Sequence, residues 1–331
     1  MPGEQPGPER RVVKLNTNEN PYPPSPRVLG ALAAAVNDGL RLYPDPEARG
    51  LRTRAAAVYG VPPEYVLAGN GSDECLALLV RALVDAGDRV AFPVPTYSLY
   101  ETLVAVQGGT AVRVPWPSDF ALPAELVDAR ARLTFLCNPN SPSGTLVPTA
   151  RIEDLAQRIE GVLVVDEAYV DFARENAMAL VLRYPNVVVL RTFSKSFSLA
   201  GLRIGLAFGH PDLLAGLRTV KDSYNLDRLA LAAAEAALED LDHVRANIAR
   251  VRATRTRLAS ALTGLGFSVL PSEANFVFVR RPGVDLAPLA RVLAGRDILV
   301  RHFPTPEARD GLRITVGTDD EIDTLLAGLS T

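Results

Sequence analysis

Two cysteines, Cys75 and Cys137, are all the chain has in 331 residues. They cannot make a disulfide framework or a cysteine-based zinc site, and their scarcity points to a reducing compartment. The three histidines, His210, His243 and His302, are scattered without metal-ligand spacing, so no metal site is expected. Excess basic charge is also lacking: 35 Lys plus Arg against 38 Asp plus Glu leave a net charge of −3. A surface that neutralises a run of phosphates is therefore not expected, and neither is a nucleic-acid partner. No apolar run approaches the roughly 20 residues of a membrane helix. The opening MPGEQPGPERR has no apolar signal core either. What remains, 48% hydrophobic and 22% charged residues, is the composition of a cytoplasmic globular protein with a substantial core.

The first 28 residues read as an extended arm, because prolines bias their predecessors away from helix. Leu15 and Tyr22 are apolar anchors that a purely solvated tail would not need. From about residue 50 to 227, helical runs such as Asp73–Ala86 and Pro148–Ile159 alternate with short apolar runs. The latter include Arg89–Phe92, Thr110–Val114, Leu133–Leu136, Val162–Val165, Val187–Leu190 and Gly205–Phe208. Continuous apolar strands interleaved with helices predict a largely parallel sheet covered on both faces. At residue 228 the texture changes to a long Ala/Leu/Arg-rich helical stretch, weakly broken near Asp240–Asp242, followed by α+β alternation. Three units are expected: an arm (1–28), a large α/β domain (29–227) and a smaller α+β domain (228–331).

Five polar segments follow apolar runs, where open α/β sheets place ligands. Asp166 ends VLVVD; a lone carboxylate there often caps the next helix, or else faces a ligand group that must stay protonated. Lys195 follows VVVLRT, and burial would lower its proton affinity and free the amine for Schiff-base chemistry. Thr192, Ser194 and Arg203 beside it are phosphate-holding types. Ser72 and Asp73, in GNGSDE, open a helix whose amides can hold an anion or merely be capped. Tyr97, after two prolines, either packs in the core or stacks on a flat ligand. The segment CNPNSPSG, with Asn140 and Ser141, reads by itself as an ordinary turn. Lysine, phosphate cradle, flat ring and buried acid together match what pyridoxal 5′-phosphate requires.

These segments, with KLNTNENPYPP, YPDP, SEANFVFV and LRITVGT in the same order, make the chain resemble the fold-type I pyridoxal-phosphate aminotransferases. Within them it is most similar to the histidinol-phosphate branch. The resemblance implies a mostly parallel seven-stranded sheet plus a smaller α+β domain. It also implies ping-pong transfer between an amino donor and a 2-oxo acid, and a homodimer with shared active sites. Lys195 would be the Schiff-base lysine, Asp166 the partner of the pyridine nitrogen, Tyr169 the partner of the phenolic oxygen and Tyr97 the stacked ring. Ser72, Asp73, Thr192, Ser194 and Arg203 would hold the phosphate, with Tyr43 reaching that of the neighbouring subunit. Tyr22, Arg301 and Arg313 would grip the substrate's anionic end. One departure stands out: Ser141 occupies the place of the asparagine that such enzymes direct at the phenolic oxygen. The serine hydroxyl or the Asn140 amide takes over, or that bond is weaker. Aromatic amino-acid transamination and phosphothreonine decarboxylation are the alternative chemistries. A non-enzymatic regulatory module is disfavoured, since only a short polar arm precedes the Lys14 block.

Overall fold

The computed structural model describes residues 5, 7 and 12–330; the rest of the predicted arm before Val12 lies outside the described residues. In chain order the elements begin with β1 (Val13–Leu15), α1 (Pro26–Ala35), α2 (Arg49–Tyr59), β2 (Val66–Asn70), α3 (Gly71–Leu83), β3 (Arg89–Val94) and α4 (Leu99–Gln107). They continue with β4 (Thr110–Pro115), α5 (Glu125–Asp128), β5 (Leu133–Cys137), α6 (Thr149–Arg158), β6 (Val162–Asp166), β7 (Val187–Thr192), β8 (Ile204–Phe208) and α7 (Pro211–Val220). The last third holds α8 (Arg228–Leu238), α9 (Leu241–Gly264), β9 (Ser268–Val269), β10 (Phe276–Arg280), α10 (Ala287–Gly295), β11 (Ile298–His302), β12 (Gly311–Thr315) and α11 (Asp319–Ser330).

Seven strands form one sheet in the order β2-β8-β7-β6-β5-β3-β4. Neighbours from β4 through β7 are parallel, and only β8 runs against both of its neighbours. Every residue of β5, β7 and β8 is buried, as expected for strands covered on both faces. Two apolar clusters, one containing Leu136, Val165 and Val189 and the other Phe135, Val164 and Val188, show the alternation of side chains to opposite faces. Because β7 joins β8 without a helical crossover, the two pair antiparallel. The loop between them carries Lys195.

The smaller sheet has the order β1-β11-β12-β10-β9. Its edge is the arm itself: Val13, Lys14 and Leu15 pair in parallel with Ile298, Leu299 and Val300. Three residues are too few to give a readable alternation. Strand β2 also escapes the sequence pattern, because Ala68 and Gly69 interrupt its apolar run. Those small residues have a purpose: Gly69 pairs with Gly205, and a Cβ at Gly205 would lie 2.2 Å from the Ser72 amide nitrogen. Two glycines thus let the start of α3 lie against the strand ends.

The compositional shift at residue 228 precedes the changeover in packing. Ala230, Ala233, Ala234 and Ala237 of α8 belong to the large sheet's core, and so does Val244 early in α9. Only Leu258 and Leu262, later in α9, join the core of the small sheet. The alanines mark close helix contact with the large unit, while α9 passes from one core to the other.

Candidate active site

The ends of β5, β6 and β7 adjoin because the strands are parallel and in register, with Cys137 beside Asp166 and Asp166 beside Leu190. Asp166 is 3% exposed and has no cation in ion-pair contact among the described residues. Burial pushes its carboxyl up to about 6, even though the Tyr100 hydroxyl donates to Oδ2 at 2.7 Å and the Ala168 amide to Oδ1 at 3.2 Å. Lys195 is half-buried, its Nζ donating to the Thr17 carbonyl at 3.3 Å. Burial, helped by the positive Arg313, brings its amine down to about 8. A buried acid and a lysine poised near neutrality stand at the same sheet edge.

An anion cradle lies beside them. Arg203 donates from Nη2 to Asp73 Oδ2 at 3.0 Å and from Nη1 to Ser194 Oγ at 3.4 Å. Thr192 Oγ1 donates to Ser194 Oγ at 3.0 Å, and the Tyr97 hydroxyl to Asp73 Oδ1 at 3.1 Å. Ser72 and Asp73 fill the first turn of α3, where unpaired amides favour negative charge. Gly71 has φ +79°, and a Cβ there would stand 2.7 Å from Arg203 Nη2, so only glycine leaves the guanidinium its place. The Tyr97 ring meets Tyr100 edge-on at 5.7 Å.

The small sheet contributes a second positive centre. Arg301 and Arg313 are direct cross-strand partners on β11 and β12. Like charges so placed repel, and burial depresses the proton affinity of both. Arg313 donates to Ser141 Oγ and to the Asn16 carbonyl, each at 3.0 Å, while its buried Nε has no hydrogen-bond partner among the described residues. Its guanidinium lies 5.4 Å from the Phe276 ring centre, and Tyr169 packs edge-on against the same ring at 5.0 Å. Tyr169 thereby touches both sheets.

Other predicted residues have different surroundings. Both Asn140 amide hydrogens are engaged, at Pro95 O (3.2 Å) and Ser143 Oγ (2.9 Å), and its Oδ1 accepts from Thr96 at 3.1 Å. The amide therefore holds the turn and has no donor left, while Ser141 retains its hydroxyl proton. Tyr22 packs against α9, with Arg250 3.5 Å from its ring centre and Val251 in the same cluster. Tyr43 is 77% exposed and stacks on Tyr224 at 4.3 Å. Two residues escaped sequence reasoning altogether: Tyr100, which reads as a core position of α4, and Asn18, whose Nδ2 donates to the Tyr169 hydroxyl at 3.1 Å.

The donor set suits pyridoxal phosphate: a carboxylate without a cation, a lysine of lowered proton affinity, and an arginine–hydroxyl cradle at a helix start. Fold and site together define a lysine-centred transferase of the pyridoxal-phosphate type. The family model for aminotransferases of class I and II matches residues 10–329, and the chain belongs to that family. It is 46% identical over 330 residues to histidinol-phosphate aminotransferase 1 of Trichormus variabilis, covering 99% of this chain and 94% of that protein. To histidinol-phosphate aminotransferase 2 of Burkholderia lata it is 48% identical over 336 residues, with the same two coverages. The crystal structure of histidinol-phosphate aminotransferase from Sinorhizobium meliloti in complex with pyridoxal 5′-phosphate superposes with a TM-score of 0.90. That match has 32% identity and covers 97% of this chain and 90% of that one.

Proposed function

We propose that the chain uses pyridoxal phosphate to move an amino group between histidinol phosphate and 2-oxoglutarate, the step of histidine biosynthesis named for its relatives, the two substrates taking turns in one site. The observation that carries this reading is the opposed pair Arg301 and Arg313, beside a site that already contains Lys195 and Asp166. Histidinol phosphate and glutamate share an anionic end, and a planar guanidinium accepts either a phosphate or a carboxylate.

The bound cofactor supplies a ring that takes up the electron pair left when the substrate Cα loses its proton. Asp166, buried behind the site, holds a proton on the ring nitrogen. Lys195 moves the substrate proton as general base and then acid, which a proton affinity near neutrality suits. Tyr169 would donate to the phenolic oxygen. Ser72, Asp73, Thr192, Ser194 and Arg203 would hold the phosphate, and Tyr97 would supply the flat ring beside the cofactor. The exposed Leu40, Leu42, Tyr43 and Tyr224 support a homodimer in which Tyr43 completes the neighbour's phosphate site.

The test is the visible absorption of the protein loaded with cofactor, followed on adding histidinol phosphate and, separately, phenylalanine, with kcat/KM for each. Bleaching of the yellow band by histidinol phosphate at low concentration supports the reading. A higher kcat/KM for phenylalanine moves the enzyme to aromatic amino acids.

A further inference from the structure

Asn18 is 1% exposed, lies in the arm and has φ 56°, a backbone conformation that asparagine tolerates better than most residues. All of its polar groups are engaged. Its amide N–H donates to Thr315 Oγ1 and its Oδ1 accepts from the same hydroxyl, each at 3.0 Å. Its carbonyl accepts from Asn275 Nδ2 at 2.9 Å. The Thr315 hydroxyl accepts from the Asn18 backbone N–H and donates its single proton to Oδ1. The NH2 group must then face Tyr169, where it donates to the phenol oxygen at 3.1 Å.

Tyr169 accordingly accepts from Asn18, while no group among the described residues takes its own proton. A hydroxyl that accepts one hydrogen bond is a stronger donor in the next. This matters here because a serine hydroxyl stands where an asparagine amide is expected. Asn140 is engaged in the turn, and Ser141 keeps its hydroxyl proton while its Oγ accepts from Arg313. We propose that Asn18 is a positioning residue that orients and polarises the Tyr169 hydroxyl toward the cofactor's phenolic oxygen, offsetting the exchange of that amide for the Ser141 hydroxyl. The proposal rests on the cofactor reading above.

A donor on that oxygen competes for the electron density that holds the proton on the Lys195 nitrogen. Weakening the donor makes the proton harder to remove, so the pH midpoint of the holoenzyme's visible band rises. The experiment is a pH titration of that band in wild type and in Asn18→Gly, which keeps the positive φ free of strain. A rise of about half to one pH unit is expected, the size of one lost hydrogen bond. Asn18→Asp, whose carboxylate takes the Tyr169 proton for itself, shifts the midpoint the same way and further. In a Tyr169→Phe background, Asn18→Gly moves it by less than about 0.2 unit, as required of a residue acting through Tyr169. Should Asn18→Gly fail to fold, Thr315→Val carries the test, removing the hydroxyl that orients the amide and giving a smaller rise. Unmoved midpoints in the variants that fold, or an equal shift in the Tyr169→Phe background, overturn the proposal. A wild-type protein that shows no band with added cofactor defeats the cofactor reading instead.

Discussion

Along the edge of the seven-stranded sheet, arginines are matched with acids; across β11 and β12, two arginines face each other. Arg203 pairs with Asp73. On β7, next to the residue that pairs with Asp166, the buried Arg191 pairs with both Glu167 and Asp171. On the smaller sheet Arg280 pairs with Asp310, yet Arg313 has a hydroxyl, a carbonyl and two aromatic rings as partners and no carboxylate in ion-pair contact among the described residues. Pairing keeps the first region ordered whatever is bound, because a buried cation left alone is costly. The second region sets two guanidinium groups opposite each other, and under the proposed function the anionic end of a substrate would offset that repulsion.

The largest break in this comparison comes from Lys195→Ala, which removes chemistry and little packing. Turnover is expected to fall by about 10⁴-fold or more with the circular dichroism spectrum unchanged. A variant with wild-type turnover would refute the assignment. Asp166→Asn comes next, at about 10³-fold in kcat, and it has a second signature. The folded carboxyl sits at about 6 against 3.8 when unfolded. Its stabilising contribution is thus complete below pH 3.8 and lost as pH rises through 6. Without cofactor, Asp166→Asn should melt several degrees above wild type at pH 8, a gain of about 2–3 kcal/mol. The difference should vanish below pH 4; equal melting at both pH values would count against a strained carboxylate.

On the other edge, Arg313→Ala should raise KM for both donors by about 30- to 100-fold, the effect of leaving an anion unpaired, with kcat less affected. Unchanged KM values would remove the second positive centre from the site. The smallest effect joins the two regions. Cofactor uptake by the apoprotein needs the neutral Lys195 amine, so its rate should rise by about tenfold from pH 7 to a plateau above 8. Arg313 helps to hold that amine down, so Arg313→Ala should move the midpoint upward. A midpoint indifferent to Arg313 would mean that the two edges act independently.

The parallel strand ends were legible because continuous apolar runs stop abruptly at Asp166 and Thr192. The lysine segment collected four phosphate- and imine-binding residue types after one such run. Arg301 and Arg313 carried no local signal: each is a charged residue within a short strand, and their opposition exists only once β11 and β12 pair. Tyr100 was hidden in the amphipathic pattern of α4, and nothing nearby in sequence suggests that its hydroxyl reaches Asp166. Asn18 sat in a proline-flanked arm where asparagine is unremarkable. At residue 228 the alanine content marks how closely α8 approaches its neighbours, and it carries no signal of which sheet the helix covers.

The edge position of β1 sets the order in which this protein can become itself. Asn18 bonds to Thr315 across 297 positions of sequence, and Asn20 reaches the Lys195 carbonyl across 175. On a ribosome the arm emerges well before its sheet partners. The seven-stranded layer is complete long before Ile298–Val300 exist to receive β1. Lys195 is therefore on its strand before β11 and β12 exist to seat the arm, and the contacts that Thr17 and Asn20 make with it are late ones.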